Sequence, residues 1–424
     1  MDNPRRIAWE ILNKCETAEQ YSNIALDTAI KRAELSSADR GLLTTLVYGV
    51  IERQITLDAC IDSLARGEIS LDVRNLLRLG TYQMIYLDRV PDHAAVNETV
   101  ELAPKRAKGF VNAILRAFLR GGKQIPMPDR DADPIAYLSV RYSFCKELCQ
   151  TLVEVFGMQR AEALMEAFGV EPPLTVRVNT QRITRRDLMT RFAAQGIASE
   201  ATPYADSGIR VLDKLPITAL DGFDEGLFFV QDEASQLCVE ALDAQPQMRV
   251  LDACACPGSK SFGAAISMQN EGSVTACDLH ANKLSLVKSG AERLGISILT
   301  TEARDARLCK EEWIGAFDRV LCDVPCSGFG VFAKKPELRY KDPQRSAGLP
   351  EIQAAILENA SAYVRVGGKL VYSTCTLLPT ENEDNVARFL QAHDEFSLLE
   401  QRTLYPDIDG TDGFFYAVLV RKDA

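Results

Sequence analysis

The segment MRVLDACACPGSKSFGAAI, residues 248–266, is the most informative one for the fold of this 424-residue chain. An apolar run leads into a turn that contains Pro257 and Gly258, and small apolar residues follow with helical spacing. Gly258 lets the backbone pass close to a ligand, and the first N–H groups of the next helix have no partner within it. The segment therefore predicts a strand, a tight turn and a helix, with a ligand held at the turn.

The same pattern continues to the end of the chain, since strands and helices alternate from residue 246 onward. The periodicity predicts strands near 248–253, 273–277, 297–301, 318–322 and 368–373, and helices near 260–268, 281–294, 350–365 and 381–392. A last apolar strand follows, and we expect it to form a hairpin at the sheet edge. This order is typical of a doubly wound α/β domain, in which ligands bind beyond the carboxyl ends of the strands.

The first half of the chain is different in character. Residues 5–120 carry apolar side chains at helical spacing, and a segment rich in Gly, Pro and Asp at 121–134 predicts a linker. Residues around 145–235 predict a small α+β module with a basic edge that includes Arg177. We therefore expect a multidomain protein: an all-α bundle (1–140), a small α+β module (141–240) and a Rossmann-like α/β domain (241–424).

Composition limits the classes of protein that remain. The net charge of −11 argues against a protein that simply coats nucleic acid, although a local basic face is still possible. The start of the chain has no secretory h-region and no apolar run reaches about 18 residues, so we expect a cytoplasmic protein. We interpret the twelve cysteines as reduced thiols, and their spacing with three histidines does not predict a metal site.

Acidic residues follow two of the predicted strands near the turn. Asp278 ends the second strand of the domain and could accept hydrogen bonds from ribose hydroxyls, and Asp305 follows the third strand and could receive an adenine amino group. The dinucleotide fingerprint and the Walker motif are both absent, which disfavours NAD and ATP. The residues alone leave the identity of a nucleoside cofactor open.

Three motifs carry a resemblance to a known family: LDACACPGSK (251–260), DVPCSG (323–328) and YSTCTLLPTENE (372–383). In this order and spacing they resemble the RNA cytosine-C5 methyltransferases. The resemblance implies S-adenosyl-L-methionine as the cofactor. It also implies the residues that would hold this cofactor: Cys254, Ala255, Cys256, Pro257, Gly258, Ser259, Lys260, Asp278, Asp305 and Asp323. Ser259 and Cys256 stand where the family usually has Gly and Ala, so we expect binding with an altered affinity.

The front of the chain adds a second resemblance. Residues 92–116, DHAAVNETVELAPKRAKGFVNAILR, are similar to the helical domain of the NusB family, which also precedes the catalytic domain in one group of RNA methyltransferases. In that family the domain binds RNA or proteins. The NusB-like front together with the three methyltransferase motifs implies an enzyme that acts on small-subunit ribosomal RNA. We expect it to be a monomer.

The chemistry of methylating carbon 5 of cytosine explains why such an enzyme needs cysteines. Carbon 5 is a poor nucleophile until a thiolate adds to carbon 6, and a carboxyl group near N3 and the exocyclic amine stabilises the product of that addition. Cys326, Asp323 and Cys375 are residues of the required types, each after a predicted strand.

The roles of the two cysteines come from the resemblance. DNA cytosine methyltransferases attack with the cysteine of a Pro-Cys motif, which would be Cys326, but they also carry a Glu-Asn-Val segment that is missing here. In the RNA family the later cysteine attacks and the Pro-Cys cysteine assists release. The resemblance thus implies Cys375 as the nucleophile, Cys326 as the releasing residue and Asp323 as the contact with the base.

RNA contacts are expected from basic residues near the catalytic strands. The segment VFAKKPELRYKDPQR (331–345) follows the Pro-Cys motif directly, and a target base must leave its stack to be modified. We expect RNA to be contacted by Arg177, Lys334, Lys335, Arg339 and Tyr340. The alternatives are the same reaction on transfer RNA, a non-catalytic NusB-like RNA-binding factor, and a DNA methyltransferase.

Overall fold

The structure is a computed structural model that describes residues 2–18 and 22–423. Contacts divide the chain into two compact units. The first extends to Gly169 and also includes Lys335–Pro343, and the second contains Val170–Lys334 and the chain from Gln344 onward. The predicted boundaries after residues 140 and 240 lie inside helices, so the three-domain division stays a prediction, whereas the predicted fold class is confirmed.

The first unit is entirely helical over its described residues, and the periodicity of residues 5–120 predicted this. Its helices are α1 (Pro4–Ala18), α2 (Ser22–Arg32), α3 (Ser37–Glu52), α4 (Gln54–Asp62), α5 (Leu71–Tyr86), α6 (Asp92–Leu102), α7 (Lys108–Arg120), α8 (Pro134–Tyr142), α9 (Lys146–Phe156) and α10 (Met158–Ala167). The central helix is α5, whose Leu76 and Leu77 are fully buried in the core. Ser36 caps α3 by accepting a hydrogen bond from the Asp39 N–H.

Residues 335–343 lie in the helical unit although they come from the middle of the second half of the sequence. The Arg339 guanidinium is buried and donates hydrogen bonds to the carbonyls of Tyr142 and Phe168. The Tyr340 hydroxyl bonds to Ser143 at 2.9 Å and accepts from the Gln54 N–H. The prediction that Arg339 and Tyr340 contact RNA is therefore wrong, because both side chains satisfy buried groups of the helical unit.

The second unit begins with a small antiparallel sheet. Its elements are β1 (Leu174–Val178), α11 (Arg185–Ala194), β2 (Ser199–Ala201), β3 (Gly208–Val211) and β4 (Phe228–Val230). The strand order is β2-β3-β1-β4. Alternation along β1 sends Val176 and Val178 into the core under α11, so Arg177 faces the other way and is buried. The prediction that Arg177 contacts RNA is contradicted by this burial.

The rest of the second unit is the doubly wound α/β fold. Its elements are α12 (Glu233–Leu242), β5 (Arg249–Asp252), α13 (Ser259–Ser267), β6 (Ser273–Asp278), α14 (Leu284–Leu294), β7 (Leu299–Ala303), β8 (Phe317–Asp323), α15 (Leu349–Tyr363), β9 (Val364–Thr374), α16 (Glu383–Ala392), β10 (Phe396–Leu404), α17 (Pro406–Asp409) and β11 (Phe414–Arg421).

These strands form one sheet in the order β10-β11-β9-β8-β5-β6-β7. The strands β5 to β9 are parallel, and β10 and β11 form the antiparallel hairpin that was predicted at the edge. The chain runs outward from β5 to β7 and then returns to the other side of β5 as β8. The switch point between β5 and β8 is therefore where a ligand site is expected. None of the helices in the described ranges is long and apolar enough to cross a bilayer.

Candidate active site

The two cysteines of the motifs meet at the carboxyl edge of the sheet. The strands β8 and β9 are parallel neighbours, with Asp323 opposite Ser373. Cys326 lies three residues beyond β8 and Cys375 directly follows β9. Their sulfur atoms are 3.2 Å apart and both side chains are partly exposed. The two thiols therefore lie together at the edge of the sheet where the strands end, as their positions after two predicted strands suggested.

A buried ion pair lies beside the thiols. The Lys260 ammonium, on the first turn of α13, is 2.7 Å from Oδ2 of Asp323 at the end of β8. Oδ1 of Asp323 accepts a hydrogen bond of 2.8 Å from the Ser373 hydroxyl. Burial alone would lower the pKa of Lys260, but the Asp323 carboxylate outweighs it and raises this pKa above its usual value. Lys260 is thus a fixed positive charge that orients the carboxylate.

The turn after β5 passes close to the neighbouring strands. Gly258 has a φ of +113°, and a Cβ there would lie 2.6 Å from the ring of Phe262. The Ala255 N–H donates to the carbonyl of Cys277 on β6, at 2.7 Å. Only a residue without a side chain fits this close approach, so Gly258 shapes the turn as the sequence predicted. Most of the sequence-predicted cofactor residues, Cys254 to Lys260, lie in or just after this turn.

The acidic residues predicted for the cofactor lie on the same edge of the sheet. Asp278 ends β6, and its Oδ1 accepts a hydrogen bond of 2.8 Å from the N–H of His280. Asp305 lies two residues beyond β7, and its carboxylate binds the Arg307 side chain. These hydrogen bonds to Arg307 lower the pKa of Asp305 to about 2. Both groups are therefore hydrogen-bond acceptors at the carboxyl edge of the sheet.

Two cysteines of the site have raised pKa values. Hydrogen bonding to Cys375, together with burial and the negative charge of Glu381, raises the pKa of Cys326 well above its usual value. Burial raises the pKa of Cys256 to about 12, with Asp278 adding to it. Cys326 and Cys256 are thus neutral thiols at pH 7, and neither is a ready nucleophile.

The two remaining predicted RNA contacts, Lys334 and Lys335, have separate outcomes. Lys334 lies 2.7 Å from the carboxylates of both Asp232 and Asp412, so its charge is already compensated within the protein. Its side chain does not offer a spare positive charge to a phosphate. Lys335 is exposed and stays a candidate contact.

Sequence reasoning missed three buried residues that hold the cysteine loops. Glu381, Asn382 and Gln353 are almost fully buried and hydrogen-bond to residues beside Cys326 or Cys375. Glu381 and Asn382 were visible as part of the TENE motif, which indicated the family but no role. Gln353 lies on α15, and no local pattern distinguishes it from other polar helix residues.

Comparison with protein families gives three matches along the chain. Residues 2–120 match the NusB family, and residues 146–218 match a ferredoxin-like domain described for RsmF/B-like methyltransferases. Residues 239–420 match the family described as 16S rRNA methyltransferase RsmB/F. The NusB match precedes the methyltransferase match, as the two resemblances predicted.

Relatives and solved structures are similar over nearly the whole length. A probable ribosomal RNA small subunit methyltransferase B of Bacillus subtilis is 40% identical and covers 99% of this chain and 98% of its own. The corresponding protein of Pseudomonas syringae is 33% identical, with coverage of 99% and 97%. A methyltransferase homologue from Pyrococcus horikoshii is 28% identical, covers 68% of this chain and 98% of its own, and has a TM-score of 0.60.

The fold itself is also found in a crystal structure titled PH0851. That chain has a TM-score of 0.83 and 23% identity, and the match covers 99% of both chains. The full-length similarity to the Bacillus protein, together with the match over residues 239–420, identifies the family. The chain belongs to the RsmB/F family of 16S ribosomal RNA methyltransferases, which depend on S-adenosyl-L-methionine.

Proposed function

We propose that this enzyme methylates carbon 5 of one specific cytosine in small-subunit (16S) ribosomal RNA through a covalent adduct between Cys375 and carbon 6. The observation that carries this proposal is the pair of thiols, 3.2 Å apart, beside the Asp323 carboxylate. Methylation of a base nitrogen or a ribose hydroxyl needs no thiol, because those atoms already carry a lone pair. Two thiols and a carboxylate fit the needs of carbon 5.

The donor set around the turn fits S-adenosyl-L-methionine. The N–H groups at the start of α13 suit a carboxylate, Asp278 suits ribose hydroxyls and Asp305 suits an adenine amine. The cofactor would be held by Cys254, Ala255, Cys256, Pro257, Gly258, Ser259, Lys260, Asp278, Asp305 and Asp323. When bound, it supplies a methyl group made electrophilic by a sulfonium sulfur.

In the first step, the Cys375 thiolate adds to carbon 6 of the cytosine. The new carbon–sulfur bond moves the electron pair of the 5,6 double bond toward carbon 5 and the N3 side of the ring. Asp323 contacts the base on the side of N3 and the exocyclic amine: its carboxylate accepts a hydrogen bond from the amine, and the Lys260 ammonium paired with it offsets the negative charge that develops on the N3 side. Lys260 and Ser373 hold both carboxylate oxygens, so Asp323 needs little reorganisation when the base arrives.

Release follows once carbon 5 carries the methyl group. The carbon-5 proton leaves to solvent, its bonding pair restores the double bond, and the bond between carbon 6 and sulfur breaks. Cys326 can give its proton to the departing Cys375 sulfur, since the two sulfur atoms are within hydrogen-bonding distance. The raised pKa of Cys326 supports this role, because it keeps the proton available at pH 7.

The RNA substrate is proposed from the relatives, which are named as small-subunit ribosomal RNA methyltransferases. We further propose that the exposed Lys335 contacts the RNA backbone. Methylation of purified small ribosomal subunit RNA and of transfer RNA, followed by mass spectrometry of the nucleosides, tests the substrate. We expect 5-methylcytidine in the ribosomal RNA alone.

The covalent mechanism is tested by a denaturing gel of Cys326→Ala expressed in cells, beside Cys375→Ala and the double variant. Cys326→Ala should carry a slower band that ribonuclease removes, since attack occurs without release. The band should be missing from Cys375→Ala and from the double variant. A band on Cys375→Ala would reverse the roles of the two thiols. No band on any variant would contradict the covalent adduct.

A further inference from the structure

Two consecutive residues just before α16 contact the loops of both cysteines. We name the segment 324–328, which contains Cys326, the Pro-Cys loop, and the segment 375–378, which starts with Cys375, the second cysteine loop. Glu381 and Asn382 are 1% and 0% exposed, respectively. Buried polar side chains usually make hydrogen bonds within the protein. The side-chain hydrogen bonds of Glu381 and Asn382 go to the catalytic loops and to Gln353, while Oε1 of Glu381 is buried without a hydrogen-bond partner among the described residues.

Glu381 holds the Pro-Cys loop. Its Oε2 accepts a hydrogen bond of 3.0 Å from the Ser327 N–H and one of 2.7 Å from the Gln353 side-chain amide. The same amide nitrogen of Gln353 donates to the carbonyl of Pro325 at 3.0 Å. The residues on both sides of Cys326 are thus attached to Glu381, directly or through Gln353.

Asn382 holds the second cysteine loop. Its Oδ1 accepts a hydrogen bond from the Thr374 hydroxyl, and its Nδ2 donates to the Thr376 carbonyl at 2.9 Å. Thr374 and Thr376 are the immediate neighbours of Cys375. A further bond of 2.8 Å, between the hydroxyls of Ser327 and Thr376, joins the two loops.

We propose that Glu381 and Asn382 are positioning residues that set the distance between the two thiols, with Glu381 placing Cys326 for release and Asn382 placing Cys375 for attack. This inference rests on the proposed function, since it assigns the two contacts to the two steps of the covalent mechanism. Because Glu381 and Asn382 are adjacent in the chain, one short segment holds both loops. The cysteines themselves lie on loops, which need such support to hold a reacting geometry.

The two contacts predict opposite effects on the covalent adduct. Glu381→Ala frees the Pro-Cys loop while Asn382 still holds Cys375, so attack should continue without efficient release. We expect the RNA adduct to accumulate, as in Cys326→Ala, and turnover to fall by about a hundredfold. Asn382→Ala should reduce attack, so the double variant Asn382→Ala/Cys326→Ala should carry much less adduct than Cys326→Ala alone.

Conservative and control variants separate positioning from general damage. Glu381→Gln keeps an acceptor for Ser327 and Gln353, so turnover should stay within about tenfold of the unchanged enzyme. Asp384→Asn removes an exposed carboxylate from the same segment and should change nothing. Gln353→Leu removes the hydrogen bond from α15 to the Pro-Cys loop, so this variant should also accumulate adduct. It replaces Glu381→Ala in the test if that variant does not fold.

The measurement is the denaturing gel together with single-turnover and steady-state methylation of ribosomal RNA. Adduct on Glu381→Ala or Gln353→Leu, with near-normal Glu381→Gln, supports the inference. If Cys326→Ala carries adduct but neither Glu381→Ala nor Gln353→Leu does, the inference is wrong and the proposed function stands. If Cys326→Ala itself carries none, the covalent mechanism fails and the inference falls with it.

Discussion

Asp252 shows how burial sets the charge of a single residue beside the site. It ends β5, is 1% exposed and accepts a hydrogen bond of 2.6 Å from the Ser261 hydroxyl. Burial raises the pKa of Asp252 to about 7, and the charge of the nearby Asp323 adds to the effect. The folded protein therefore favours the protonated carboxyl group over the pH range in which the unfolded chain ionises it.

From the raised pKa of Asp252 we predict how the free energy of unfolding depends on pH. Between pH 4 and pH 7 the unfolded state releases the Asp252 proton and the folded state keeps it, so the free energy of unfolding falls as pH rises. Asp252→Asn cannot titrate, so its stability relative to the unchanged protein should increase between pH 5 and pH 8. Over this interval the stability difference between the two proteins should change by about 1.4 kcal/mol for each pH unit between pH 5 and the folded pKa of Asp252.

Denaturant unfolding of both proteins at pH 5 and pH 8 measures this difference. Asp412, whose pKa burial and Asp232 also raise to about 7, titrates in both proteins and cancels in the comparison. Parallel pH profiles for the two proteins would show that Asp252 is ionised in the folded state.

At the scale of elements, a pair of glycines joins the catalytic loops to the last hairpin. The Gly330 N–H donates to the carbonyl of Cys375 at 3.0 Å, and the Gly413 N–H donates to the carbonyl of Gly330 at 2.8 Å. A Cβ on Gly330 would lie 2.0 Å from the Gly413 carbonyl oxygen. The backbone that carries Cys375 is thus set by contacts that tolerate no side chain at residue 330.

We predict that Gly330→Ala destabilises the second unit by about 1–3 kcal/mol, the usual cost of overpacking. Methylation should fall further than stability, because the strain reaches the Cys375 backbone. Gly348→Ala is the control: a Cβ there meets no described atom within 4 Å, so stability should change by less than about 0.5 kcal/mol. Thermal unfolding and the methylation rate measure both effects. Equal behaviour of the two variants would count against this packing argument.

At the scale of the whole molecule, the chain leaves the α/β unit after Lys334, contributes residues 335–343 to the helical unit and then returns. The Tyr340 hydroxyl accepts from the N–H of Gln54 and bonds to Ser143. Its burial raises the pKa of the Tyr340 hydroxyl to about 12, so the group stays neutral. The segment is a structural part of the helical unit even though its sequence resembles an RNA-binding loop.

Tyr340→Phe should therefore lower stability and leave RNA affinity unchanged. The variant leaves the partly buried N–H of Gln54 without its acceptor, which costs about 1–3 kcal/mol. Lys335→Ala removes an exposed side chain and should change stability by less than about 0.5 kcal/mol, with a weaker affinity for RNA at low salt. Calorimetry measures the stability of Tyr340→Phe and Lys335→Ala, and filter binding measures their affinity for ribosomal RNA. Weaker RNA binding by a fully stable Tyr340→Phe would restore an RNA contact through the Tyr340 hydroxyl.

The secondary structure and the residue types of the site could largely be predicted from the sequence. Apolar periodicity predicted the helices of residues 5–120 and the strands β5 to β9, because that periodicity is a local property of the chain. The glycine turn and the two cysteines after strands predicted a ligand edge, since parallel strands end on one side of a sheet. The three motifs together identified the family.

Which basic side chains are free to contact RNA could be seen only in the folded protein. Arg177, Lys334 and Arg339 are all basic residues that the sequence does not distinguish. In the structure Arg177 is buried on one face of a strand, Lys334 is paired with two carboxylates, and Arg339 donates to two backbone carbonyls. Gln353 and Glu381 meet at the Pro-Cys loop from segments 28 residues apart. Burial and hydrogen bonding between distant segments leave no local pattern in a sequence, and for this reason the structure was needed to assign these residues.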